Sequence, residues 1–380
     1  MKANGKPNAL YFGDNLDVLR QHIRGETVDL IYLDPPFNSQ QDYNVLYKDK
    51  TGQKSEAQQR AFEDTWEWGD AAERAYEELV KAGGHVGRTV EALYKILGNN
   101  DMMAYLCMMA PRLVELQRAL TSRGSLYLHC DSKASHYLKV LLDAIFSPGS
   151  FRNELVWHYS GWNKRLRAHF ERRSDHILFY AKGSEQVFNS FAVPWQSAEE
   201  YVRVRKQKVR HDRQGDYVLS DAGGGKRVKR YIHEAMAEGR YVDNVWLIDK
   251  LNNSSKEKLP YPTQKPAELL ERIITASSNP GDVVLDPFCG CGTAAAVAQR
   301  LKRRWIGIDI TYLALTVIEK RLRAQAGGVA TWTVNGVPQE AAAFIVSRMK
   351  VLTASRTASC TTSRGVHSRM RSASEGATRV

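Results

Sequence analysis

The sequence has few cysteines, and none of them is placed to bind a metal or to form a disulfide framework. Five cysteines are scattered over 380 residues, without the paired spacing of a zinc site or the density of a small disulfide-rich domain. The close pair Cys289 and Cys291 lies inside a glycine-rich turn, and two further ligands at a suitable spacing are missing. We therefore expect no metal site.

Long apolar runs are also missing. No stretch approaches the roughly 18 apolar residues of a membrane helix, and the start MKANGKPNAL lacks the apolar segment of a secretory signal. With 43% apolar and 25% charged residues, the composition is that of a globular protein with an ordinary core. We expect a cytoplasmic protein without membrane association.

Acidic residues are scarce in two segments, which therefore carry strong positive charge. Residues 203–230 hold ten Lys and Arg against three Asp, and residues 348–380 hold seven Lys and Arg against one Glu. Their net charges of +7 and +6 exceed the formal net charge of +12, so the rest of the chain carries −1. Such concentration is typical of proteins that bind a polyanion, although basic runs are also often solvated surface. Charge alone leaves both interpretations open.

Short apolar segments alternate with segments of helical spacing. The predicted strands are ALYFG, VDLIYLD, SLYLHCD, NELVWHYS, HILFYAK, DVVLD and WIGIDI. This alternation predicts an α/β domain with a mostly parallel sheet. We expect the helix over 101–120 to begin with an Asp cap and to bend or restart near Pro111, and the helix SKASHYLKVLLDAIF to begin with a Ser cap.

The periodicity fails between about residues 190 and 255, where the chain is polar, basic and interrupted by three consecutive glycines. We interpret residues 190–255 as an insertion between two parts of one domain, residues 1–189 and 256–330. The end of the chain is rich in Ser, Thr and Arg, and we predict a disordered basic tail over residues 350–380.

A glycine turn suggests a nucleotide-type ligand. The segment DPFCGCGT, residues 286–293, follows the strand DVVLD and opens a helix. Glycines at 290 and 292 allow a sharp turn and close approach of a ligand at the edge of an open sheet. Asp309 follows about twenty residues later, the spacing of an acidic group that binds ribose hydroxyls. An Asp that merely caps a strand is the alternative. Ala295 stands where the dinucleotide fingerprint needs a third glycine.

The second motif is DPPF, residues 34–37, directly after VDLIYL. Two consecutive prolines make a rigid turn without amide donors. The turn presents a carboxylate, carbonyl groups and an aromatic ring, which suit a planar base that carries an amine. Asp34 and the Pro35 carbonyl can accept the amine hydrogens, and Phe37 can stack on the base once it has left the duplex. A structural loop whose Phe packs in a core is the alternative.

Together these segments resemble the amino-methylating DNA methyltransferases. DPPF is similar to their catalytic motif, and DPFCGCGT is similar to their S-adenosylmethionine turn, in which Ser is usual at position 291. The run YPTQKP, residues 261–266, resembles a further cofactor-site motif. The catalytic motif precedes the cofactor turn, as in the beta class, which has a circularly permuted Rossmann-like α/β methyltransferase fold. The similarity covers residues 9–325 and is greatest to adenine methyltransferases that include type III modification subunits.

The resemblance implies a role for each matched residue. Asp34 and Pro35 would hold the target amine, Pro36 would shape the same turn, and Phe37 would stack on the base. Asp14 would lie near the cofactor adenine, with a turn-forming Asp as the alternative. Lys265 would contact the methionine carboxylate or shape its pocket, with a surface lysine at a helix start as the alternative. The cofactor-binding residues that the resemblance implies are Asp14, Thr263, Gln264, Lys265, Asp286, Phe288, Gly290, Gly292, Thr293 and Asp309.

The implied function is transfer of a methyl group from S-adenosyl-L-methionine to N6 of a flipped adenine in double-stranded DNA. Methylation of N4 of cytosine, or a catalytically dead DNA-binding scaffold, is the alternative. Residues 190–255 would form the target-recognition region, and nearby basic residues would extend its charge: Lys164, Arg165, Arg167, Arg172 and Arg173. The resemblance is compatible with a homodimer and with a cognate restriction endonuclease subunit as partner.

Overall fold

The computed structural model describes residues 8–36, 67–161, 165–261, 263–325 and 331–336. The chain divides into two compact units, Met1–Thr333 and Val334–Val380, and the first contains the features below. Phe37, Lys164 and the predicted tail over 350–380 lie outside the described residues, so the predictions about them stay predictions. None of the described helices is long and apolar enough to cross a membrane.

A central sheet organises the first unit. Its strands follow the order β11-β4-β5-β3-β2-β12-β13-β1. Strands β1, β13, β12, β2 and β3 are mutually parallel; β5 is antiparallel to β3 and β4, and β11 is parallel to β4. The strands of this sheet are β1 (Asn8–Phe12), β2 (Val28–Leu33), β3 (Leu120–Cys130), β4 (Phe151–His158), β5 (Ser174–Ala181), β11 (Val245–Leu247), β12 (Val283–Asp286) and β13 (Arg304–Asp309). The mostly parallel sheet that the sequence predicts is confirmed.

Helices cover both faces of this sheet. Consecutive strand residues, which point to opposite faces, are therefore both buried. Ile31 and Leu33 of β2 join the main apolar core, whereas Tyr127 of β3 bonds Ser277 on the other face, with 2.6 Å between the hydroxyl oxygens. The helices are α1 (Asn15–His22), α2 (Asp70–Ala82), α3 (Gly84–Leu97), α4 (Asp101–Ala119), α5 (Ser135–Phe146), α6 (Ala198–Arg205), α7 (Ile232–Glu238), α8 (Ala267–Ser277), α9 (Thr293–Arg300) and α10 (Tyr312–Gln325). Strands buried on both faces read as continuous apolar runs.

Two helix starts differ from the prediction. The cap of α4 is Asn100, whose side chain accepts from the Met103 amide at 2.9 Å, and the helix continues through Pro111. The residue before α5 is Ala134 rather than a serine, and Asp131 accepts its amide at 2.9 Å. In both cases a neighbouring side chain satisfies the free amides that every helix start leaves.

Residues 190–255 contain regular structure that the sequence periodicity does not reveal. A three-stranded antiparallel sheet packs against α6 and α7 through Tyr201, Val218 and Ala235, which are nearly fully buried. Its strands are β7 (Arg210–Asp212), β8 (Gly215–Asp221) and β9 (Arg227–Tyr231), and two short strands pair beside it, β6 (Ala192–Val193) and β10 (Arg240–Tyr241). The small apolar core explains why a polar segment folds. Strand β14 (Trp332–Asn335) lies near the end of the described residues.

Candidate active site

Four aspartates lie at the carboxyl ends of neighbouring parallel strands. Asp34 follows β2, Asp286 ends β12, Asp309 ends β13 and Asp14 follows β1 by two residues. The register places Phe12 beside Asp309 and Asp286 beside Gly307, so the strand ends are level. Ligands of open α/β sheets bind at this edge. The structure therefore brings both predicted motifs to one place.

The glycine turn after β12 allows a ligand to approach the backbone closely. Gly290 and Gly292 have φ of 49° and 72°, values that strain residues with a side chain. A Cβ on Gly290 would lie 3.2 Å from the Tyr261 ring, and one on Gly292 would lie 2.7 Å from Ile318. Both the backbone conformation and the packing therefore require glycine here.

Asp309 holds that turn. Its carboxylate accepts from the Gly290 amide at 2.8 Å, and its second oxygen accepts from the amide and hydroxyl of Thr311 at 2.9 and 2.8 Å. A further backbone hydrogen bond comes from Ile310, so the carboxylate is held firmly beside the glycine turn. Burial raises the pKa of Asp309, although these hydrogen bonds oppose the shift.

Asp286 is buried beside the turn, and only 5% of its surface is exposed. Burial raises its pKa well above the ordinary value, and the charges of Asp34 and Asp309 raise it further, although the Phe288 amide donates to it at 3.1 Å. A group of carboxyls that disfavour each other's ionisation attracts a cation. The edge of the sheet thus favours a positively charged ligand.

Asp34 is paired with Lys265, and both side chains are largely buried, with 16% and 15% exposed. The resemblance implies that Lys265 contacts the methionine carboxylate of the cofactor or shapes its pocket, and the structure places its ammonium against Asp34. Pro35 is buried and Pro36 is exposed. An ion pair of this kind fixes the direction of the carboxylate.

The other predicted residues of the YPTQKP run have different surroundings. The Gln264 amide bonds the Leu259 N–H at 2.7 Å and the Glu257 carbonyl at 2.9 Å, so it braces the loop in front of α8. Thr263 is exposed. Thr293, at the start of α9, accepts from Arg321 at 2.9 Å.

Asp14 caps α1 and also pairs with a buried arginine. Its carboxylate accepts from the Leu16 amide at 2.8 Å and from Arg112 at 2.6 Å. Arg112 also donates to Asn15 at 2.6 Å, and Asn15 donates to the Pro287 carbonyl at 2.9 Å. These contacts link the turn after β1 to the turn after β12. Arg112 lies mid-helix without a motif around it, so the sequence gives no signal for this contact.

Comparison with known proteins identifies the family. A family model named N6_N4_Mtase, described as a DNA methylase, matches residues 28–320. The chain belongs to this family of S-adenosylmethionine-dependent DNA amino-methyltransferases. Its α/β sheet is that of a Rossmann-like methyltransferase fold.

Individual relatives agree with this assignment. The chain is 27% identical to the type II methyltransferase M.EcaI of Enterobacter cloacae over 376 residues, which cover 87% of this chain and 73% of the relative. It is 28% identical to the DNA adenine methyltransferase YhdJ of Escherichia coli (strain K12), with 52% of this chain and 60% of that protein covered. It is 26% identical to the StyLTI Mod subunit, a type III restriction-modification protein of Salmonella typhimurium, with 77% and 50% covered.

The residues of this DNA methylase fit S-adenosylmethionine. The cofactor carries a sulfonium, an ammonium and a ribose, and the site offers the carboxyl groups of Asp286 and Asp309 beside a turn in which Gly290 and Gly292 leave the backbone accessible. Phe288 is partly buried against the core next to that turn. Cys291, where Ser is usual in the family, is buried, with its sulfur 3.6 Å from the Thr293 hydroxyl. The thiol keeps the turn packed, and its hydrogen bond with Thr293 is weaker than that of a serine hydroxyl.

Two polar residues of this site escaped the sequence analysis. His129 is fully buried at the end of β3, 4.0 Å from the Asp34 carboxylate, and it bonds Asp175 on β5 at 3.2 Å. The one available signal was the motif SLYLHCD, which ends a predicted strand with a histidine. Its pairing with Asp175 depends on strand order, which the motif does not encode.

Proposed function

We propose that this protein methylates N6 of adenine in double-stranded DNA, with S-adenosylmethionine as methyl donor. The observation that carries the proposal is the position of Asp34-Pro35-Pro36 at the carboxyl end of β2, beside the glycine turn at the end of β12. The catalytic carboxylate and the cofactor turn thereby share one edge of the sheet.

Each residue of the site has a part in this reaction. S-adenosylmethionine, when bound, supplies an electrophilic methyl group. The Asp34 carboxylate, held by Lys265, and the Pro35 carbonyl accept the two amine hydrogens and direct the nitrogen lone pair. The nitrogen loses one proton as it is methylated, and the Asp34 carboxylate lies ready to accept it. Positioning of this kind supplies a large part of the rate enhancement in group transfer.

The cofactor would be held by the other matched residues. Asp286 would face the cationic methionine part and Asp309 the ribose. Asp14 would lie near the adenine, while Thr263, Gln264 and Thr293 shape the pocket around the glycine turn. Phe37 would stack on the flipped base. Adenine is favoured over cytosine because Asp stands at position 34, where Ser would favour N4 of cytosine.

The reaction product tests the proposal. The full chain is incubated with unmethylated bacterial DNA and labelled S-adenosylmethionine, and the DNA is digested to nucleosides. We expect the label in N6-methyladenine. Label in N4-methylcytosine would agree with the mechanism but show that the substrate base is cytosine and not adenine. Cofactor binding without any labelled nucleoside would contradict the proposal and indicate a catalytically dead DNA-binding scaffold.

We also propose residues 190–255 as the target-recognition region, inserted between the halves 1–189 and 256–330 of the methyltransferase domain. The face of the β7-β8-β9 sheet opposite Val218 carries Arg210, Arg227 and Lys229. Tyr217 lies on the same face, with the Lys229 ammonium 4.7 Å from its ring centre. Basic groups interleaved with aromatic rings suit phosphate and base contacts, although Asp212 and Asp221 also lie on this face.

Replacing both Arg210 and Arg227 by Gln is expected to lower the affinity for DNA. The affinity of the variant should also depend less on salt concentration. Each lost phosphate contact lowers the slope of log K against log salt by about 0.9, so the slope should fall by about two. Binding is measured by fluorescence anisotropy at several salt concentrations. The control removes two arginines elsewhere, as Arg74→Gln with Arg88→Gln on α2 and α3. Equal slopes for both double variants would contradict the recognition role.

Genomic DNA as substrate places the proposed activity in the cytoplasm. A homodimer and a cognate restriction endonuclease subunit stay predictions from the resemblance, and the size of the chain in solution tests the first of them.

A further inference from the structure

A row of hydrogen-bonded side chains crosses the sheet beside Asp34. The Tyr32 hydroxyl lies 3.0 Å from Nδ1 of His129. Nε2 of His129 lies 3.2 Å from Asp175, and the Tyr159 hydroxyl donates to the same carboxylate at 3.1 Å. The row therefore runs from β2 across β3 and β5 to the residue that follows β4.

The strand register puts this row on the same face as Asp34. Leu33 pairs with Leu128, which places Asp34 beside His129. His129 pairs with Ile177, two residues from Asp175, and Asp175 pairs with Trp157. Side chains two residues apart on a strand share a face, so these groups form one polar strip.

The protonation states are set by burial and neighbouring charge. Burial raises the pKa of Tyr32 well above its ordinary value, and the carboxylates of Asp34, Asp286 and Asp175 raise it further, so its hydroxyl stays a donor. Burial would raise the pKa of Asp175, but the hydrogen bond from His129 and nearby positive charge lower it overall. Asp175 is thus a carboxylate that accepts from His129 and Tyr159.

The far end of the row reaches the segment after β11. Trp157 contacts the His129 ring edge-to-face at a centroid distance of 5.5 Å and donates to the Ile248 carbonyl at 2.7 Å. Two residues later, the Lys250 ammonium lies 3.6 Å from the centre of the Tyr159 ring. A continuous set of contacts thus joins the catalytic strand to the end of the proposed recognition region.

We propose that His129 and Asp175 are positioning residues that hold the end of β2, and with it Asp34, in the geometry for methyl transfer. The proposal rests on the proposed function, because the reaction defines what Asp34 must face. Tyr32 is two residues before Asp34 and is tied to His129, so a loosened histidine shifts the start of the catalytic turn. A displacement of about 1 Å at a reacting group lowers the rate by about 10²-fold.

The test compares three changes at His129 and Asp175. His129→Leu and Asp175→Asn should lower kcat by about 10²-fold and leave the Kd of S-adenosylmethionine within about twofold. His129→Gln keeps a donor toward Asp175 and should recover part of kcat. Tyr159→Phe removes only one hydroxyl at the edge of the row. This milder variant replaces His129→Leu in the kinetic comparison if His129→Leu does not fold.

A matched histidine provides the control. His176 neighbours Asp175 on β5 but points to the opposite face, where it bonds Glu154 at 2.5 Å. His176→Leu should leave kcat unchanged. Equal kcat losses in His176→Leu and His129→Leu, or losses in His129→Leu that appear only as weaker cofactor binding, would overturn the positioning role.

Histidine ¹⁵N NMR tests the hydrogen bonds of the row independently of methyl transfer. The His129 signals are identified by their loss in His129→Leu. Tyr32→Phe should shift the Nδ1 signal and Asp175→Asn the Nε2 signal, and no response to either change would show that the row does not exist. If the wild-type chain methylates nothing, the proposed function falls and the catalytic role of the row falls with it, whereas the NMR result still decides the row itself.

Discussion

Asp34→Ala is expected to lower methyl transfer by about 10²–10³-fold, the loss typical when one directed polar group is removed from a reacting centre. The variant leaves the target amine without its charged acceptor, because Pro35 offers only a carbonyl. The glycine turn and Asp309 remain in place, so the Kd of S-adenosylmethionine should change by only a few-fold. The loss should therefore lie in kcat.

Single-turnover kinetics with saturating cofactor measures this effect directly. Asp34→Asn is a stricter variant, because it keeps the size and removes the charge that pairs with Lys265. Asp70→Ala, at the exposed start of α2, serves as the control and should have full activity. Wild-type rates in Asp34→Ala would rule out Asp34 as the catalytic carboxylate.

Asp286→Asn is expected to weaken S-adenosylmethionine binding by about 10–100-fold, since hydrogen bonds to charged groups contribute about 1.5–3 kcal/mol. The same change should stabilise the free protein at neutral pH. The folded-state pKa of Asp286 is raised above 3.8, so the folded chain binds this proton more tightly than the unfolded chain. Its contribution to stability is complete below that value and is lost as pH rises through the folded pKa.

Calorimetry and denaturation test the two parts. A cationic ligand favours the ionised form of Asp286, so cofactor binding to the wild type should release protons, seen as binding enthalpies that differ between buffers. Asp286→Asn should remove this difference and flatten the fall in the free energy of unfolding that begins as the pH rises above about 4. Asp70→Asn is the control. Unchanged affinity in Asp286→Asn would contradict its assignment to the cofactor site.

The sequence predicts the sheet and the two motifs of the active site because each of them is encoded in a short continuous segment. DPPF and DPFCGCGT each follow a predicted strand, and parallel strands must bring their carboxyl ends to one edge. The structure confirms the strands and that edge. Whether the matched residues bind as predicted is decided by the experiments above.

What the sequence does not predict depends on contacts between distant segments. Lys265 reaches Asp34 across 231 residues, and Arg112 reaches Asp14 across 98. No spacing rule connects such pairs. Within residues 190–255 the elements are short, and an apolar core of Tyr201, Val218 and Ala235 is too small to produce a periodic pattern. The caps of α4 and α5 were mispredicted because an adjacent Asn and Asp satisfy the free amides.

The order of strands in the sheet has a consequence for biosynthesis. Strand β1 pairs with β13, and the Asn8 side chain accepts from the Trp305 amide 297 residues along the chain. Strand β2, which ends directly before the proposed catalytic residue Asp34, pairs with β12. Contacts between such distant segments form late and slowly in folding. A ribosome-bound chain that ends before β12 has neither the glycine turn nor the β13 partner of β1, so the edge of the sheet that holds Asp34, Asp286 and Asp309 is incomplete until synthesis has passed β13.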